Sequence, residues 1–588
     1  MKTMLASFLL LAAVVCAHAH CSSGSDPYDG AADQAVDEGD DGSDGGDIIS
    51  DIADGEYFCF PGGRECVGAA SYRMCKPDGS GWEEEEACEE GETCFDGVCL
   101  DPCEHARSSR SSIGCTFYAL DMDQWSWPTL EYDTSTYAIV ASNVDDTFAA
   151  TVTVEQMSAG AWSTVMTEVI PVNSLFAFRL PGDSHVEDTN IGTGIAYRVV
   201  SDYPIIAYQF NPIDTADQAT NDASMLLPLH TLDRYYFAAS WFQLGTEFLN
   251  RDSKGYVSIV GTQDGTTVTV YPTAVVKAGG PIPEIPAGGS HEVVLNDGDV
   301  LQIATKDTTT DLSGTYIEAS AAVAVFGGHE CADIPYHCDW CRDGHGYPPG
   351  GGEPEHEENT CAWCDHLEEQ ILPLTTWGMK YVASRIPIRS TGDVAEAAYW
   401  RVIASEPATT ITVHDRGGIT LRFPSGVSNP ATINRGEYID FEMVGDASDP
   451  GDTIVEADKP ILLMQYIEGQ ECTNLTQEEG GDPAMISMVP VEQFLDEYIF
   501  LTPMTYDVDF VIVTRPAGVQ ITLDGLPMAD GLFIPVGDDW EVGRTEIADG
   551  VHRISGTEPF GIVAVGYSPW VSYGYPGGMN LEVINPMI

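Results

Sequence analysis

A pattern of three β-strand segments recurs four times across residues 116–588. Each copy opens with a segment rich in Tyr and Phe, continues with a Thr/Val-rich segment and closes with an apolar run. The opening segments are residues 117–119, 235–237, 381–383 and 498–500, the Thr/Val segments are 151–154, 266–270, 409–413 and 519–523, and the closing runs are 204–208, 322–326, 460–464 and 559–565. β-branched and aromatic residues favour strands, and an interval of roughly 100–140 residues suits one small domain. The sequence therefore predicts an all-β fold of four tandem units of short antiparallel strands.

The two later segments of each copy differ in their hydrophobic pattern. The Thr/Val segments alternate, which indicates one face in water, whereas the closing runs are apolar throughout, which indicates a sheet covered on both faces. Each copy is long enough for about seven strands, which favours one β-sandwich per unit. A propeller with two four-stranded blades per copy is the alternative. We place the predicted units at about 116–222, 223–365, 366–485 and 486–588.

The first 55 residues predict export and a tether. Lys2, an apolar run to Val15 and small residues up to Ala19 form the pattern of a signal peptide over residues 1–19. Residues 20–55 are rich in Asp, Gly and Ser, which predicts an acidic disordered linker. Cys21 is a candidate for lipidation, because a lipid on Cys21 leaves an even number of other cysteines in the exported chain, and these can all pair in disulfides. Release as a soluble protein is the alternative.

A dense block of cysteines follows, and residues 56–115 are predicted to form a small disulfide-rich module. Its members are Cys59, Cys66, Cys75, Cys88, Cys94, Cys99, Cys103 and Cys115. An exported chain meets an oxidising environment, so these cysteines are expected to pair. Eight cysteines allow 105 pairings, and the sequence does not select among them.

The charge of the chain excludes a class of partner. It has 25 Lys and Arg against 92 Asp and Glu, a formal net charge of −67. Binding to nucleic acid requires basic residues that face phosphates, so a nucleic-acid partner is not expected. Carboxylate oxygens suit calcium, which stays a candidate ion, although no complete calcium-loop spacing is present.

Several phrases resemble those of bacterial proteins that carry the IgGFc-binding protein N-terminal domain. They are Ser-Ser-Ile-Gly-Cys at 111–115, Phe-Tyr-Ala at 117–119, Ile-Ala-Tyr-Gln-Phe-Asn-Pro at 206–212, Thr-Asn-Asp-Ala-Ser-Met-Leu-Leu-Pro at 220–228, Gly-Gly-His-Glu-Cys at 327–331 and Cys-Asp-His-Leu-Glu-Glu-Gln-Ile-Leu-Pro at 364–373. The resemblance covers residues 103–588 and implies an exported surface protein without catalytic residues. It does not imply immunoglobulin binding, because the von Willebrand-type modules of the animal protein that names the family have no counterpart in these residues.

A second group of cysteines lies in and around a Gly/Pro/Glu-rich insert. Two C-x-x-C pairs, Cys338 with Cys341 and Cys361 with Cys364, have the spacing of a structural zinc site. Export favours disulfides instead, and Cys331 and Cys472 bring the group to six, enough for three bridges. A zinc or copper site and redox chemistry of the C-x-x-C pairs remain the alternatives.

No short catalytic motif stands out. The sequence contains no H-E-x-x-H, G-x-S-x-G or Walker loop, so we predict neither an enzyme nor a cofactor. The pair Glu368-Glu369 is expected to be solvated surface. A second set is aromatic, and core packing is expected of it ahead of a glycan-binding face: Trp125, Trp127, Trp570, Tyr573 and Tyr575.

Together these observations predict an exported binding or adhesion protein of bacterial origin, at the outer-membrane surface or secreted. Its partner would be an extracellular protein or glycan, and the β-repeats would be the scaffold that presents the binding surface. The alternative is an extracellular hydrolase whose site is assembled from residues distant in sequence.

Overall fold

The computed structural model describes residues 58–586 except 90, 126–134, 215–219, 246–251, 336–363, 390–395, 447 and 471–479. The predicted signal peptide, the acidic linker and Cys21 lie outside the described residues, as do Trp127, Cys338, Cys341, Cys361 and Cys472. Within the described part, the α-helix α1 has eight residues, and no helix is both long and apolar enough to cross a membrane.

The cysteine-rich region contains a three-stranded sheet, a hairpin and α1. The strands are β1 Arg64–Cys66, β2 Ser71–Met74, β3 Glu86–Ala87, β4 Thr93–Phe95 and β5 Val98–Leu100, and α1 is Pro102–Ser109. The side chain of Asp101 caps α1 by accepting from the Glu104 amide at 2.9 Å. Four disulfides join Cys59 to Cys75, Cys66 to Cys94, Cys88 to Cys99 and Cys103 to Cys115. Such cross-links stabilise a module with little apolar core by about 2–4 kcal/mol each.

Residues 114–576 form four units, numbered 1 to 4. Unit 1 contains β6 Gly114–Ala119, β7 Tyr137–Asn143, β8 Ala150–Ser158, β9 Ala161–Ile170, β10 Ser174–Leu180, β12 Tyr197–Asn211 and β13 Asp222–Met225. The strand β11 Asn190–Gly192 lies between β10 and β12 in the chain but joins the edge of a sheet in unit 2. Unit 2 contains β14 Asp233–Phe237, β15 Gly255–Gly261, β16 Thr266–Tyr271, β17 His291–Leu295, β18 Val300–Ala304, β19 Tyr316–Ala332 and β20 Asp365–Gln370. Unit 3 contains β21 Lys380–Ala383, β22 Ala398–Ala404, β23 Thr409–Val413, β24 Thr420–Arg422, β25 Ala431–Ile433, β26 Tyr438–Val444, β27 Thr453–Ala457, β28 Ile461–Tyr466 and β29 Met485–Ser487. Unit 4 contains β30 Leu495–Thr502, β31 Val508–Pro516, β32 Ile521–Leu523, β33 Leu526–Pro527, β34 Phe533–Val536, β35 Trp540–Ile547, β36 Gly550–Ser568 and β37 Val571–Pro576.

Each unit is a sandwich of two antiparallel sheets that share a long strand. In unit 2, the first half of β19 pairs with β14 and β16, while its second half pairs with β15 and β20. In the same way, β12 connects the two sheets of unit 1, and β36 connects the two sheets of unit 4. In unit 3, residues 458–460 interrupt the long strand, so β27 and β28 belong to two separate sheets. The predicted all-β sandwich architecture is confirmed, and the pairing does not support the propeller alternative.

The burial of each strand follows the predicted hydrophobic pattern. Strands β8, β16 and β23 alternate between buried and partly exposed residues, whereas every residue of β28 and of the second half of β12 is buried or nearly so. Short 3₁₀ turns at Leu229–Thr231, Leu374–Thr376 and Val491–Gln493 lead from each unit to the next, directly after Pro228, Pro373 and Pro490. The last strand of each unit pairs with its own long strand, so β13, β20 and β29 join the preceding unit rather than opening the next one.

The four units form a closed ring. An ion pair crosses each of the four seams: Lys277 to Asp188 at 2.9 Å between units 2 and 1, Arg401 to Asp311 between units 3 and 2, Arg544 to Asp452 between units 4 and 3, and Arg553 to Asp146 at 2.7 Å between units 4 and 1. The backbone closes the ring as well, because the Leu581 amide donates to the Arg110 carbonyl and the Ser112 amide donates to the Met579 carbonyl. The chain therefore returns to its starting point beside β6.

Strands β13, β20, β29 and β37 meet at the axis of this ring. Side chains of Thr220 and of β13 accept hydrogen bonds from the outward amides of β20: Thr220 from His366 at 2.9 Å, Asp222 from Glu368 at 3.0 Å and Ser224 from Gln370 at 2.7 Å. Side chains of unit 2 accept in return from the Asn221 and Leu227 amides, both at 2.7 Å. The unpaired amides of an edge strand can pair with a strand of another molecule. Here side-chain oxygen atoms accept from these amides instead, as the carbonyls of a neighbouring strand would.

The prediction that Glu368 and Glu369 are solvated is wrong. Both lie at the axis and are essentially fully buried, with Glu368 Oε2 accepting from Gln209 at 3.2 Å and Glu369 Oε1 accepting from the Ser487 amide at 3.3 Å. Burial raises the pKa of both carboxyls well above the ordinary value, and the nearby Asp222 adds to the rise. Their positions follow from ring closure, which a local pattern of polar residues does not encode.

Asp509 should make the ring less stable as the pH rises. Its carboxyl accepts from the Tyr573 hydroxyl at 2.6 Å, and burial raises its pKa to about 7. A raised native pKa gives stability that is complete below the unfolded value, about 3.9, and is lost as the pH rises through 7. Between pH 5 and pH 8, the fall in the free energy of unfolding should therefore be smaller in Asp509→Asn than in the wild type, by about 2 kcal/mol. Urea unfolding at both pH values measures this difference. The exposed change Glu546→Gln on β35 should leave the pH dependence unaltered; equal slopes in all three proteins would contradict the assignment.

Candidate ligand-binding cleft

A cleft of about 920 Å³ opens at the seam between units 2 and 3. Strands β14, β16 and β19 supply Phe237, Tyr271 and Tyr316 to one wall, and the turn between β25 and β26 supplies residues 433–438 to the other. This volume lies within the range of small-molecule sites, which often form between domains and are lined by aromatic rings with a few polar groups.

The sheet register places the aromatic rings of this wall in a row. Phe237 and Tyr271 lie directly opposite Tyr316 on either side of it, so the three residues occupy neighbouring strands at one level. The ring centroids of Tyr271 and Tyr316 are 5.7 Å apart, and those of Phe237 and Tyr316 are 5.1 Å apart. Tyr271 is 39% exposed, so the row ends in an open ring face that a ligand can contact.

Two arginines lie on these aromatic residues. The Arg435 guanidinium carbon is 4.2 Å from the Tyr316 ring centroid and 5.4 Å from that of Phe237. Arg234 lies 5.2 Å from the Tyr235 ring, in an adjoining depression of about 500 Å³ that shares Tyr316 and Arg435 with the cleft. Among the described residues, no carboxylate forms an ion pair with either arginine. Their charge is thus available to a ligand.

The hydroxyls of Tyr316 and Tyr438 in the cleft remain neutral. Burial raises the pKa of Tyr316, and the Arg435 guanidinium opposes part of that rise. Burial raises the pKa of Tyr438 as well, with a further contribution from Asp311. At neutral pH both hydroxyls can therefore donate and accept hydrogen bonds. Exposed carboxylates of Glu318 and Glu437 add acceptors on the two walls.

Two glycines form the contact between the walls. Gly314 and Gly436 lie in turns with φ of +80° and +73°, and their backbones face each other across the seam. A side chain on Gly314 would overlap the Gly436 carbonyl oxygen. The close approach of units 2 and 3 therefore depends on the absence of a side chain at this position.

Gly314→Ala should separate the walls of the cleft. The substitution adds a backbone penalty for positive φ and a steric clash, which together should cost about 3 kcal/mol of unfolding free energy. Gly265→Ala is a matched control, because Gly265 has a φ of +74° and open space around the added carbon. It should cost about 1 kcal/mol. Equal effects of the two changes in urea unfolding would show that the backbones do not touch.

One group of metal-ligating side chains occurs elsewhere in the described residues. The ligand atoms of Asp123, His185 and Glu187 lie within 4.8 Å of one another near the seam of units 1 and 2. Carboxylate oxygens with an imidazole nitrogen suit zinc or another transition metal better than calcium. Sequence reasoning missed the group, because its spacing matches no metal motif.

Most of the candidate site residues predicted from the sequence do not form a common site in the structure. Cys364 is bonded to Cys331, so its sulfur is not a free thiolate for a zinc site with Cys338, Cys341 and Cys361. Trp125, Tyr573 and Tyr575 are buried, and Trp570 is 37% exposed, so these rings do not form one surface. His329 and His366 are also buried, and burial lowers the pKa of each to about 4 and about 3.

The residues of the cleft were not predicted as a site. Residues 235–237 form one of the predicted Tyr/Phe-rich strands, but Tyr271, Tyr316 and Arg435 lie in three other segments. Their assembly requires both the register of β14, β16 and β19 and the ring geometry that sets unit 3 against unit 2.

Two comparisons with known proteins bear on the family. A model of the IgGFc binding protein family matches residues 222–566, from β13 to β36. The human IgGFc-binding protein is 25% identical over 393 residues, which is 66% of this chain and 6% of the human protein. The chain therefore corresponds to a small part of that relative's length. With more than half of its residues matched by the family model, the chain belongs to the IgGFc-binding protein family.

Proposed function

We propose that this is an exported, non-enzymatic binding or adhesion protein, and that its extracellular ligand occupies the cleft between units 2 and 3. The observation that carries the proposal is the row of Phe237, Tyr316 and Tyr271 with Arg435 stacked on it and its charge unpaired. Rigid aromatic rings and arginines contribute most of the binding energy at many recognition sites. The sandwiches and the buried axis provide a rigid scaffold for such a site.

Several features support export. Residues 1–19 have the composition of a signal peptide, and the five disulfides among the described residues suit an oxidising compartment. We propose further that the protein is bacterial, that residues 20–55 tether it to the outer-membrane surface, and that Cys21 carries a lipid in the anchored form. The ring composed of units 1 to 4 is then the part presented to the environment.

The name of the human relative states that it binds the Fc part of IgG. The matched region is 6% of that protein, so Fc binding is one hypothesis for this chain. The alternatives that the cleft supports are a glycan or another extracellular protein.

Binding assays with one cleft variant and one control variant test the proposal. Purified wild type and Tyr271→Ala are applied to an oligosaccharide array and to immobilised IgG Fc fragment. The wild type should bind oligosaccharides without turning them over, and Tyr271→Ala should bind at least about fivefold more weakly, because a stacking face is lost. Val294→Ala, an exposed truncation on β17 away from the cleft, should bind as the wild type does. Binding that survives Tyr271→Ala unchanged, or hydrolysis of an array member, would contradict the proposal.

A further inference from the structure

We propose that the ligand of the cleft is a carboxylate-bearing oligosaccharide, whose carboxylate is held by Arg435 and Arg234 while a sugar ring stacks on Tyr271. This inference rests on the proposed function and specifies the chemistry of its ligand. Three observations support it: the unpaired charge of the two arginines, their orientation on aromatic rings, and the mixture of charges on the cleft walls.

Arg234 and Arg435 form a local pair of cations in a strongly acidic chain. The sequence has 25 basic against 92 acidic residues, so a cation generally has a carboxylate within its surroundings. Arg401 and Arg416, for example, both form ion pairs. Arg234 and Arg435 do not pair with a described carboxylate, yet both line the same continuous groove. The acidic surface as a whole repels anions, so an anionic ligand requires a local pair of cations such as this.

The guanidinium of Arg435 has five N–H donors, and its contacts with Tyr316 leave donors for a ligand. A guanidinium that lies over an aromatic ring uses its face for the ring and keeps its N–H edge for a partner. Two parallel N–H groups match the two oxygens of a carboxylate, which a lysine ammonium does not. The separation of Arg435 from the Tyr316 ring centroid, 4.2 Å, is that of a stacked pair.

The remaining polar groups favour a sugar acid over an acidic peptide. Glu318 and Glu437 are exposed on the cleft walls, and carboxylates accept hydrogen bonds from sugar hydroxyls. A peptide rich in Asp and Glu offers these two carboxylates no hydroxyl groups to bind, so its own acids would meet repulsion without that compensation. The apolar face of a pyranose ring suits the exposed face of Tyr271, whose side chain is part of the row.

The groove offers room for more than one sugar ring. The cleft of about 920 Å³ and the depression of about 500 Å³ share Tyr316, Glu318 and Arg435. Arg234 lies in the second depression with Tyr235, so a second stacking position adjoins the first. An oligosaccharide can thus place its carboxylate between the two arginines and its neighbouring rings on either side.

An array with matched neutral partners tests the charge requirement. The full chain is applied to carboxylated oligosaccharides, including 3′-sialyllactose and trigalacturonic acid, printed beside lactose and the methyl ester of trigalacturonic acid. At least one carboxylated member should bind about tenfold or more tightly than its neutral partner, and added NaCl should weaken that binding. Equal binding of charged and neutral partners through the cleft would overturn this inference while leaving the proposed function intact. An array that binds nothing, or binding of a Glu-rich peptide in preference to any oligosaccharide, would overturn both the glycan class and its charge.

Arginine variants locate the carboxylate. Arg435→Gln and Arg234→Gln should each weaken binding of the carboxylated oligosaccharide about tenfold and leave binding of its neutral partner unchanged. Arg435→Lys should fall between the wild type and Arg435→Gln, because it keeps the charge and loses the two-pronged geometry. Arg179→Gln is the control, since Arg179 is exposed and ion-paired with Asp214 in unit 1. All three arginines are at the surface, so thermal melting should show intact folds. Unchanged affinity in both Arg435→Gln and Arg234→Gln would overturn the assignment.

Discussion

Replacing Asp222 with alanine is expected to lower the free energy of unfolding by about 4 kcal/mol. Asp222 Oδ2 accepts from the Glu368 amide at 3.0 Å and from the Met485 amide at 3.1 Å, and Oδ1 accepts from the Ala223 amide at 2.8 Å. Each buried amide left without an acceptor costs about 1–3 kcal/mol. Two of these amides belong to units 2 and 3, so the loss removes a three-unit junction at the axis.

A surface aspartate provides the control for this prediction. Asp202 is exposed and accepts from a single backbone amide, that of Thr151, at 2.6 Å. Asp202→Ala should therefore change the free energy of unfolding by less than about 1 kcal/mol. Denaturant unfolding of both variants measures the difference, and a loss in Asp222→Ala no larger than in Asp202→Ala would show that the axis does not hold the ring together.

Arg401→Met is expected to destabilise the protein by about 3–5 kcal/mol. Arg401 is fully buried at the seam of units 2 and 3, where it pairs with Asp311 of unit 2 and with Asp440 of unit 3 at 2.8 Å. It also donates to the Ser240 carbonyl at 3.1 Å and the Ser313 hydroxyl at 2.9 Å. The substitution leaves two buried carboxylates without their cation, which is the costly way to break such a group.

Two further variants separate the charge effect from the loss of packing. Arg401→Met combined with Asp311→Asn and Asp440→Asn removes all three charges, and it should recover more than half of the lost stability. Arg179→Met breaks an exposed pair with Asp214 and should cost at most about 1 kcal/mol. If the triple variant were no more stable than Arg401→Met, the loss would come from packing against Trp241 and Tyr438 instead.

The repeat, the order of its three strand segments along the chain and its hydrophobic pattern could be predicted because they depend on local sequence. Alternation in β8, β16 and β23 reports which face meets water, and continuous apolar runs report strands covered on both faces.

The axis and the cleft were not readable because they arise from contacts between units. Glu368 appears beside a second carboxylate, which is ordinarily a sign of exposed surface, yet its amide donates to Asp222 of β13 and its side chain accepts from Gln209 of β12. Arg435 stands in a polar turn of unit 3 and acquires its role only where that turn meets Tyr316 of unit 2. In both contacts the partners lie more than a hundred residues apart in the sequence and meet only because the ring closes. The local sequence therefore carries no signal of either contact.

The central claim is that a ligand binds at the seam of units 2 and 3 while the ring stays closed. Hydrogen–deuterium exchange with mass spectrometry tests it, with and without the tightest-binding carboxylated oligosaccharide from the array. Peptides that cover residues 313–318 and 433–438 should gain protection on binding, and the axis peptide covering 365–370 should be slow to exchange in both states, because its outward amides are hydrogen-bonded. Protection gained only outside the seam, or rapid exchange at residues 365–370 without ligand, would contradict the account.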